Sequence, residues 1–287
     1  MRDRKEKVLT IILPVYLLLF LFRIFEYFVL RTDQTFWGEA FVHKLIGIGI
    51  LLLLLKRCDF KAGEIGFAKD KILLNSLKGL LFGVSIFVLA YLVEILVLVF
   101  QGKFESLDLY VSAYAVNGNI GNQTAPIFFI ICIAGNVINV VMEEGVFRGF
   151  FQRILEKRYS FIRAAVIASL LFGFWHIMGP IRNYYDGTMS LGGLIANMLM
   201  LLVTSSLVGF KFAMMTRLTG SLYMEMGDHF VNNMIVNVLH VVSDTGTDEF
   251  MVIRIAIAQS VSFIIVLIWY IYALRRDPVF DLRRDPS

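Results

Sequence analysis

The chain has 287 residues, of which 58% are hydrophobic and 17% are charged, and its formal net charge is +4. Soluble domains contain about 45–50% apolar and about 25% charged residues, so this composition excludes an ordinary soluble domain. The small positive charge is better explained by basic loops than by a surface that binds nucleic acid. The two cysteines, Cys58 in a basic loop and Cys132 in an apolar stretch, exclude a disulfide framework.

Apolar runs of membrane-spanning length recur along the chain, and they predict an all-α, polytopic transmembrane bundle of about eight spans. The runs are continuous rather than alternating, which excludes strands as the main architecture. The first run follows a basic N-terminus and lacks a small-residue cleavage site, so we expect an uncleaved first span. The predicted spans are 8–30, 38–55, 74–100, 127–158, 161–178, 190–215, 220–242 and 250–274.

Lysine and arginine are dense before the first span, after the second, around 153–163, at Lys211 and Arg217, and in the C-terminal tail. By the positive-inside rule, this alternation predicts that both termini are cytoplasmic. The chain divides into three predicted segments: N-terminal membrane helices with a polar external loop at 1–124, a core rich in intramembrane polar residues at 125–242, and a last span with a basic tail at 243–287.

Two adjacent glutamates and an arginine lie inside the fourth predicted span. Each such ion near the centre of a membrane helix costs about 2.5–3.5 kcal/mol on insertion scales, which indicates a function. Glu144 and Arg148 are four residues apart, so we expect them to share a helical face and neutralise each other. Glu143 is rotated by about 100° from Glu144 and shares its face with Asn136 and Asn139. It therefore needs a partner on another helix.

The seventh predicted span carries a polar stripe at helical spacing, which must face the bundle interior or a wet cavity. Its members are Glu225, His229, Asn232, Asn233, Asn237 and His240. Asparagine and histidine on membrane helices often form interhelical hydrogen bonds worth about 0.6–2 kcal/mol, and this structural interpretation is favoured for Asn136, Asn139, Asn237 and His240. In the first two spans, Arg23 with Glu26 and Glu39 with His43 are predicted to form structural pairs.

Glu143, His176, His229 and Asn233 together fit one kind of chemistry. A carboxylate and an imidazole can orient and deprotonate a water molecule. A second imidazole and an amide, one turn apart, can donate hydrogen bonds to a developing oxyanion. Alternatively, Glu143, His176 and His229 are candidate ligands of a divalent metal such as zinc. The His-Glu-x-x-His and Gly-x-Ser-x-Gly motifs are absent, which disfavours a zinc-protease helix and a serine nucleophile.

Three motifs, Glu143-Glu144-x-x-x-Arg148, Phe172-x-x-x-His176 and His229-x-x-x-Asn233, follow each other on successive apolar helices. In this order they resemble the CPBP family, which comprises type II CAAX prenyl endopeptidases and the "Abi" membrane proteins of bacteriocin processing or immunity. The resemblance implies that Glu143 is the catalytic glutamate and acts with His176 on water. It implies oxyanion stabilisation by His229 and Asn233, and Glu144 and Arg148 complete the first motif as supporting residues.

The resemblance therefore implies a membrane-embedded endopeptidase, whose partners are the lipid bilayer and a peptide or membrane-protein substrate. The compact loops predict that the membrane is a bacterial cell membrane. A non-catalytic immunity or adaptor protein and a transporter or proton relay are the alternatives. Metal dependence, substrate prenylation and oligomeric state stay open. The predicted span boundaries also put His176 near the external end of its span, several ångströms from the depths of Glu143 and His229.

Overall fold

A computed structural model, which describes residues 3–112, 122–277 and 280, shows a helical bundle with a small antiparallel sheet. This confirms the predicted all-α polytopic class. The helices are α1 Asp3–Phe25, α2 Val42–Arg57, α3 Ile72–Phe100, α4 Pro126–Glu144, α5 Gln152–Glu156, α6 Phe161–His176, α7 Met178–Tyr185, α8 Leu191–Thr219, α9 Tyr223–Val238 and α10 Met251–Arg276. The strands are β1 Phe104–Leu109 and β2 Leu239–Ser243. The Asn- and Gly-rich stretch at 116–121 and the tail beyond 280 lie outside the described residues.

Within the described residues, six segments are long and apolar enough to cross a membrane, fewer than the eight spans expected. They are Val8–Gln34, Lys69–Phe100, Pro126–Glu156, Phe161–Tyr185, Leu191–Thr219 and Met251–Arg276. The second and seventh predicted spans correspond to α2 and α9, which have 16 residues each. A helix of that length is about 24 Å long, shorter than the ~30 Å hydrocarbon core, so neither meets the length of a full crossing.

The end of the seventh predicted span forms a strand instead of a helix. Residues 239–243 form β2 and pair with β1, which lies in a stretch expected to be a loop. His240 stacks on the ring of Tyr110 with 3.9 Å between the ring centroids, and its Nδ1 contacts Asp248 at 3.2 Å. Burial alone would raise the pKa of Asp248, but hydrogen bonds and positive charge from His240 and Arg254 outweigh burial and lower it. His240 is therefore a structural residue outside the polar face of α9.

The fourth predicted span is not one regular helix. A π-helical segment, Gly145–Phe151, separates α4 from α5 and begins directly after the glutamate pair. A Cβ atom on Gly145 would lie 2.7 Å from Cδ2 of Leu51 on α2, so glycine permits the close approach of the two helices. π-helical turns are frequent at functional sites because they re-aim side chains within a helix.

Glycines let α3 and α9 approach closely. A Cβ atom on Gly79 would lie 2.0 Å from the carbonyl oxygen of Met224, and one on Gly227 would lie 2.8 Å from that of Ser76. Small residues at a membrane helix crossing allow the backbones to come into van der Waals contact. This crossing fixes the position of α9, which carries the histidine and the asparagine of the third motif.

Two predicted structural pairs are wrong. The carboxylate of Glu26 does not pair with Arg23; it accepts hydrogen bonds from the backbone N–H groups of Val42 at 2.9 Å and His43 at 2.5 Å. Its Oε2 also lies 2.5 Å from His43 Nδ1. The first N–H groups of α2 have no helical partner, and a carboxylate is favoured at that positive end of the helix dipole. Glu39, deprived of His43, instead pairs with Lys44 at 2.6 Å.

Lys211 is not a loop residue, contrary to the charge count that contributed to the predicted orientation. It lies within α8 and is only 1% exposed. Its ammonium contacts Asp228 on α9 at 2.7 Å, together with Gln259 and Ser262 on α10. Arg217 and the other basic residues still support the predicted orientation, which stays a prediction.

Candidate functional site

A cavity of about 270 Å³ lies between helices of the N-terminal and central parts of the chain. Glu143 from α4, His176 from the end of α6, and His229 and Asn233 from α9 all line it. The remaining lining residues are Arg23, Tyr27, Glu39, Lys44, Asn136, Asn139, Gly179, Leu201, Val236 and Asn237. The four residues selected from the sequence are therefore brought together around one volume large enough for water and part of a ligand.

The expected mismatch in depth disappears because the predicted end of the fifth span was too early. The apolar helical segment runs through α6 and α7 from Phe161 to Tyr185. His176 therefore lies in the interior of this segment and not at its external end. Glu143 likewise lies inside the segment Pro126–Glu156, so the two residues can reach a common cavity.

The carboxylate of Glu143 is buried and surrounded by donors. Nε1 of Trp175 donates to its Oε1 at 2.9 Å, and Nδ2 of Asn139 donates to its Oε2 at 3.3 Å. The guanidinium of Arg23 lies 3.9 Å from Oε1. These contacts favour the ionised carboxylate and fix its orientation, and they show that Asn139 supports the glutamate rather than another helix.

Glu144 makes the predicted ion pair with Arg148, whose Nη1 lies 3.1 Å from Oε2. It also makes a contact that the spacing did not predict, because Nδ1 of His229 lies 2.7 Å from Oε1. Arg148 is held in turn by the carbonyl oxygen of Gly209 at 3.4 Å and by the ring of Phe172, 3.9 Å from the guanidinium carbon. Glu144 thus connects the first motif to the third.

The hydrogen bonds define which nitrogen of each histidine faces the cavity. Nδ1 of His176 contacts the carbonyl oxygen of Phe172 at 2.8 Å, and Nδ1 of His229 contacts the carboxylate of Glu144. Because these oxygens only accept, both Nδ1 atoms carry hydrogen. Nε2 of each ring is left for other contacts, and that of His229 lies 3.7 Å from Oε2 of Glu143.

Asn136 and Asn233 differ in the hydrogen bonds that their side chains make. Nδ2 of Asn136 donates to the carbonyl oxygen of Cys132 at 2.9 Å, a bond within α4 and not between helices. Oδ1 of Asn233 accepts a hydrogen bond from Nδ2 of Asn232 at 3.0 Å. Within the described residues its Nδ2 has no acceptor, so this amide presents free donors.

Three contributors to the site are not predicted from the sequence: Trp175, Arg23 and the pair of Glu39 with Lys44. Arg23 stacks over the indole of Trp175, with its guanidinium carbon 4.4 Å from the ring centroid. A buried tryptophan N–H needs an acceptor, and that need was the available signal for Trp175. For Arg23, Glu39 and Lys44 the signal was the free-energy cost of a charge inside an apolar span. The incorrectly predicted local pairs had accounted for that cost and so hid the signal.

The donor set does not fit a metal ion. No group of three or more His, Cys, Asp and Glu side chains in the described part of the chain is arranged to hold one. Both oxygens of Glu143 accept hydrogen bonds from side chains, and Arg23, 3.9 Å away, would repel a divalent cation. The arrangement instead provides a carboxylate, two imidazoles and an amide donor around water-sized space, which suits acid–base chemistry on a polar bond.

A match to a known family covers the part of the chain that carries the three motifs. Residues 125–235 match the model of a family described as type II CAAX prenyl endopeptidase Rce1-like, and the matched region contains all three motifs. No curated protein matches the chain. The described helices include six candidate membrane spans, as a multi-pass membrane protein requires. Residues 125–235 are therefore similar to the type II CAAX prenyl endopeptidase Rce1-like family, and this match supports the resemblance to CPBP intramembrane proteases.

Proposed function

We propose that this protein hydrolyses a peptide bond of a membrane-presented substrate, using water activated by Glu143 and His176. The observation that supports this most is the common cavity lined by Glu143, His176, His229 and Asn233. Three separate helices contribute these residues, and each residue type has a defined task in peptide hydrolysis.

The buried carboxylate of Glu143 is the proton acceptor in this proposal. It takes a proton from water while Nε2 of His176 accepts the second hydrogen bond and orients the molecule. The oxygen attacks the carbonyl carbon of the scissile bond, and the carbonyl π bond opens to an oxyanion. When the C–N bond breaks, the proton held by Glu143 passes to the leaving nitrogen, which gives an amine, and the water oxygen with its remaining hydrogen becomes part of the carboxylic acid product.

His229 and Asn233 stabilise the oxyanion. In the imidazolium form, His229 donates from Nε2 into the cavity while its Nδ1 stays on Glu144. Asn233 adds a neutral N–H donor one turn further along α9. Removing one such donor from an oxyanion site typically costs about 10²–10³ in kcat, so both residues are expected to matter for the chemical step.

The substrate class is part of the proposal. The family match points to peptides of CAAX type, and the location of the cavity within a membrane bundle suits a substrate anchored by a prenyl group or by an apolar segment. Processing of a bacteriocin precursor in a bacterial cell membrane uses the same reaction on a different peptide. Reporter peptides with and without a prenylated cysteine distinguish these substrates.

Cleavage of fluorescence-quenched peptides by the purified protein in lipid vesicles tests the function. We expect the parent to cleave at least one prenylated or apolar reporter, and Glu143→Gln and His176→Ala to lower kcat by at least about 10²-fold. Thermal unfolding checks that both variants are folded. Parent protein that cleaves none of the reporters, or Glu143→Gln protein as active as the parent, contradicts the proposal and favours an immunity or adaptor role.

A further inference from the structure

A chain of side-chain hydrogen bonds runs from the buried ammonium of Lys211 to the amide of Asn233. We infer that this chain, and Gln259 within it, sets which end of the Asn233 amide faces the cavity. Gln259 and Asn232 are thus positioning residues for the donor that the proposed protease uses on its oxyanion. The inference rests on the proposed function and adds α10 and a second part of α8 to the working site.

The direction of the hydrogen-bond chain is fixed by Lys211, its first member. Nζ of Lys211 lies 2.7 Å from Oδ2 of Asp228, 2.9 Å from Oε1 of Gln259 and 3.1 Å from Oγ of Ser262. An ammonium group has three donors and no acceptor, so it must face the oxygen of the Gln259 amide. Lys211 is only 1% exposed and is paired with a buried carboxylate, so bulk water does not replace these acceptors.

The orientation then passes along the amides one at a time. With its oxygen on Lys211, Gln259 directs Nε2 to Oδ1 of Asn232 at 2.7 Å. Asn232 must then present Nδ2, which lies 3.0 Å from Oδ1 of Asn233. Because each amide has one oxygen end and one nitrogen end, the last member has its oxygen engaged and its NH₂ group free. Asn233 lines the cavity, so the free end supplies donors there.

The ion pair at the start of the chain explains why a lysine is buried between three helices. Lys211 from α8 joins Asp228 from α9 and Ser262 from α10, and Asp228 precedes His229 directly. A buried charge is tolerated when it is paired and fully hydrogen-bonded. The three donors of the Lys211 ammonium meet three acceptors, which satisfies that condition. One of these acceptors, Gln259, passes the amide orientation on toward the cavity.

Gln259→Glu reverses the direction of the hydrogen bonds from Gln259 to Asn233 and leaves the side-chain volume nearly unchanged. A carboxylate still accepts from Lys211, but it cannot donate to Asn232. Asn232 must turn its NH₂ group toward the carboxylate, and Asn233 must then donate to Asn232 and present its oxygen to the cavity. Gln259→Met is the matched comparison, since it keeps the volume, removes the hydrogen bonds and leaves both asparagine amides free to rotate.

The test measures kcat, KM and thermal unfolding for peptide cleavage in vesicles. We expect Gln259→Glu to lower kcat roughly 10²-fold with little change in KM, and Gln259→Met to lower it less than about tenfold. Ser262→Ala removes an acceptor of Lys211 that lies outside the hydrogen-bond chain, so it should lower the melting temperature and leave kcat close to that of the parent. A role in packing or in solvating Lys211 predicts the opposite order, because glutamate keeps the contact with the ammonium and methionine does not.

Two results overturn the inference. One is a Gln259→Glu variant at least as active as Gln259→Met. The other is a loss of kcat that parallels the fall in melting temperature across the variants. The proposed function fails differently, through Glu143→Gln protein that cleaves as well as the parent. If Glu143→Gln is inactive and Gln259→Glu retains full kcat, only the positioning role is lost.

Discussion

Single residues of the site are held by contacts from distant parts of the chain. Glu143 has its oxygens engaged by Trp175 and Asn139 and is flanked by Arg23. A carboxylate with this many donors is oriented before substrate arrives, which reduces the entropy lost in reaching the reactive geometry. The indole N–H of Trp175 is the shortest of these hydrogen bonds and is therefore the contact to remove first.

Trp175→Phe keeps an aromatic ring beside Arg23 and deletes the N–H donor to Glu143 together with part of the buried ring volume. A hydrogen bond to a charged group contributes about 1.5–3 kcal/mol, so we expect kcat to fall roughly 10- to 100-fold with a small loss of stability. Steady-state cleavage and thermal unfolding measure both effects. Trp37→Phe is the control, because Trp37 is 52% exposed and lies away from the cavity. Equal kinetics for the two variants would argue against a role of the indole in orienting Glu143.

At the scale of helices, the site depends on close approaches as much as on functional groups. The π-helical segment after Glu144 carries Arg148 against α8, where Gly209 accepts a hydrogen bond from its Nε. A Cβ atom on Gly209 would lie 2.9 Å from Nη2 of Arg148 and 3.2 Å from Oγ of Ser169. Since Arg148 holds Glu144 and Glu144 holds His229, a displacement at this crossing propagates to the cavity.

Gly209→Ala is expected to push Arg148 away from Glu144 and to lower kcat by at least about tenfold, since a shift of about 1 Å in a reacting group can cost 10²-fold. The glycine Gly192 near the start of the same helix has open space around its Cβ position. Gly192→Ala should therefore leave activity unchanged and stabilise the helix by up to about 1 kcal/mol. Comparable activity losses in both variants would indicate a general effect on α8.

Sequence reasoning reached the four residues of the cavity because each is a costly polar group in an apolar helix. It could not reach Trp175 and Arg23 as partners of Glu143, since both lie on other helices, 32 residues away for Trp175 and more than 100 for Arg23, and such contacts leave no local periodicity. Glu26 was assigned to the wrong partner for a related reason: its role as a cap depends on where the chain reverses before α2. The ends of α6 and α9 were misplaced because apolar residues suit a helix, a strand or a continued span equally well.

For the whole molecule, the orientation predicted from the basic loops has a direct test in the native cysteines. Cys58 follows α2 in the basic segment and is partly exposed, whereas Cys132 is buried in α4. Cytoplasmic termini place Cys58 on the cytoplasmic face when α1 and the shorter α2 together carry the chain out and back, as the basic segment after α2 predicts. A membrane-impermeant maleimide should therefore label the protein in inside-out vesicles and not in intact cells. Cys58→Ser protein should remain unlabelled in both, and labelling of the parent in intact cells would reverse the orientation.

The order in which the chain is made has a consequence for when activity can begin. Arg23 on α1 and Lys44 on α2 enter the membrane early, whereas His229 and Asn233 on α9 emerge from the ribosome nearly 200 residues later. The glutamate therefore has its basic neighbours in place before either of the proposed oxyanion donors exists. A partly synthesised chain would hold the charges of the cavity without its catalytic geometry. In the proposed protease, cleavage would therefore start only when biosynthesis is almost complete.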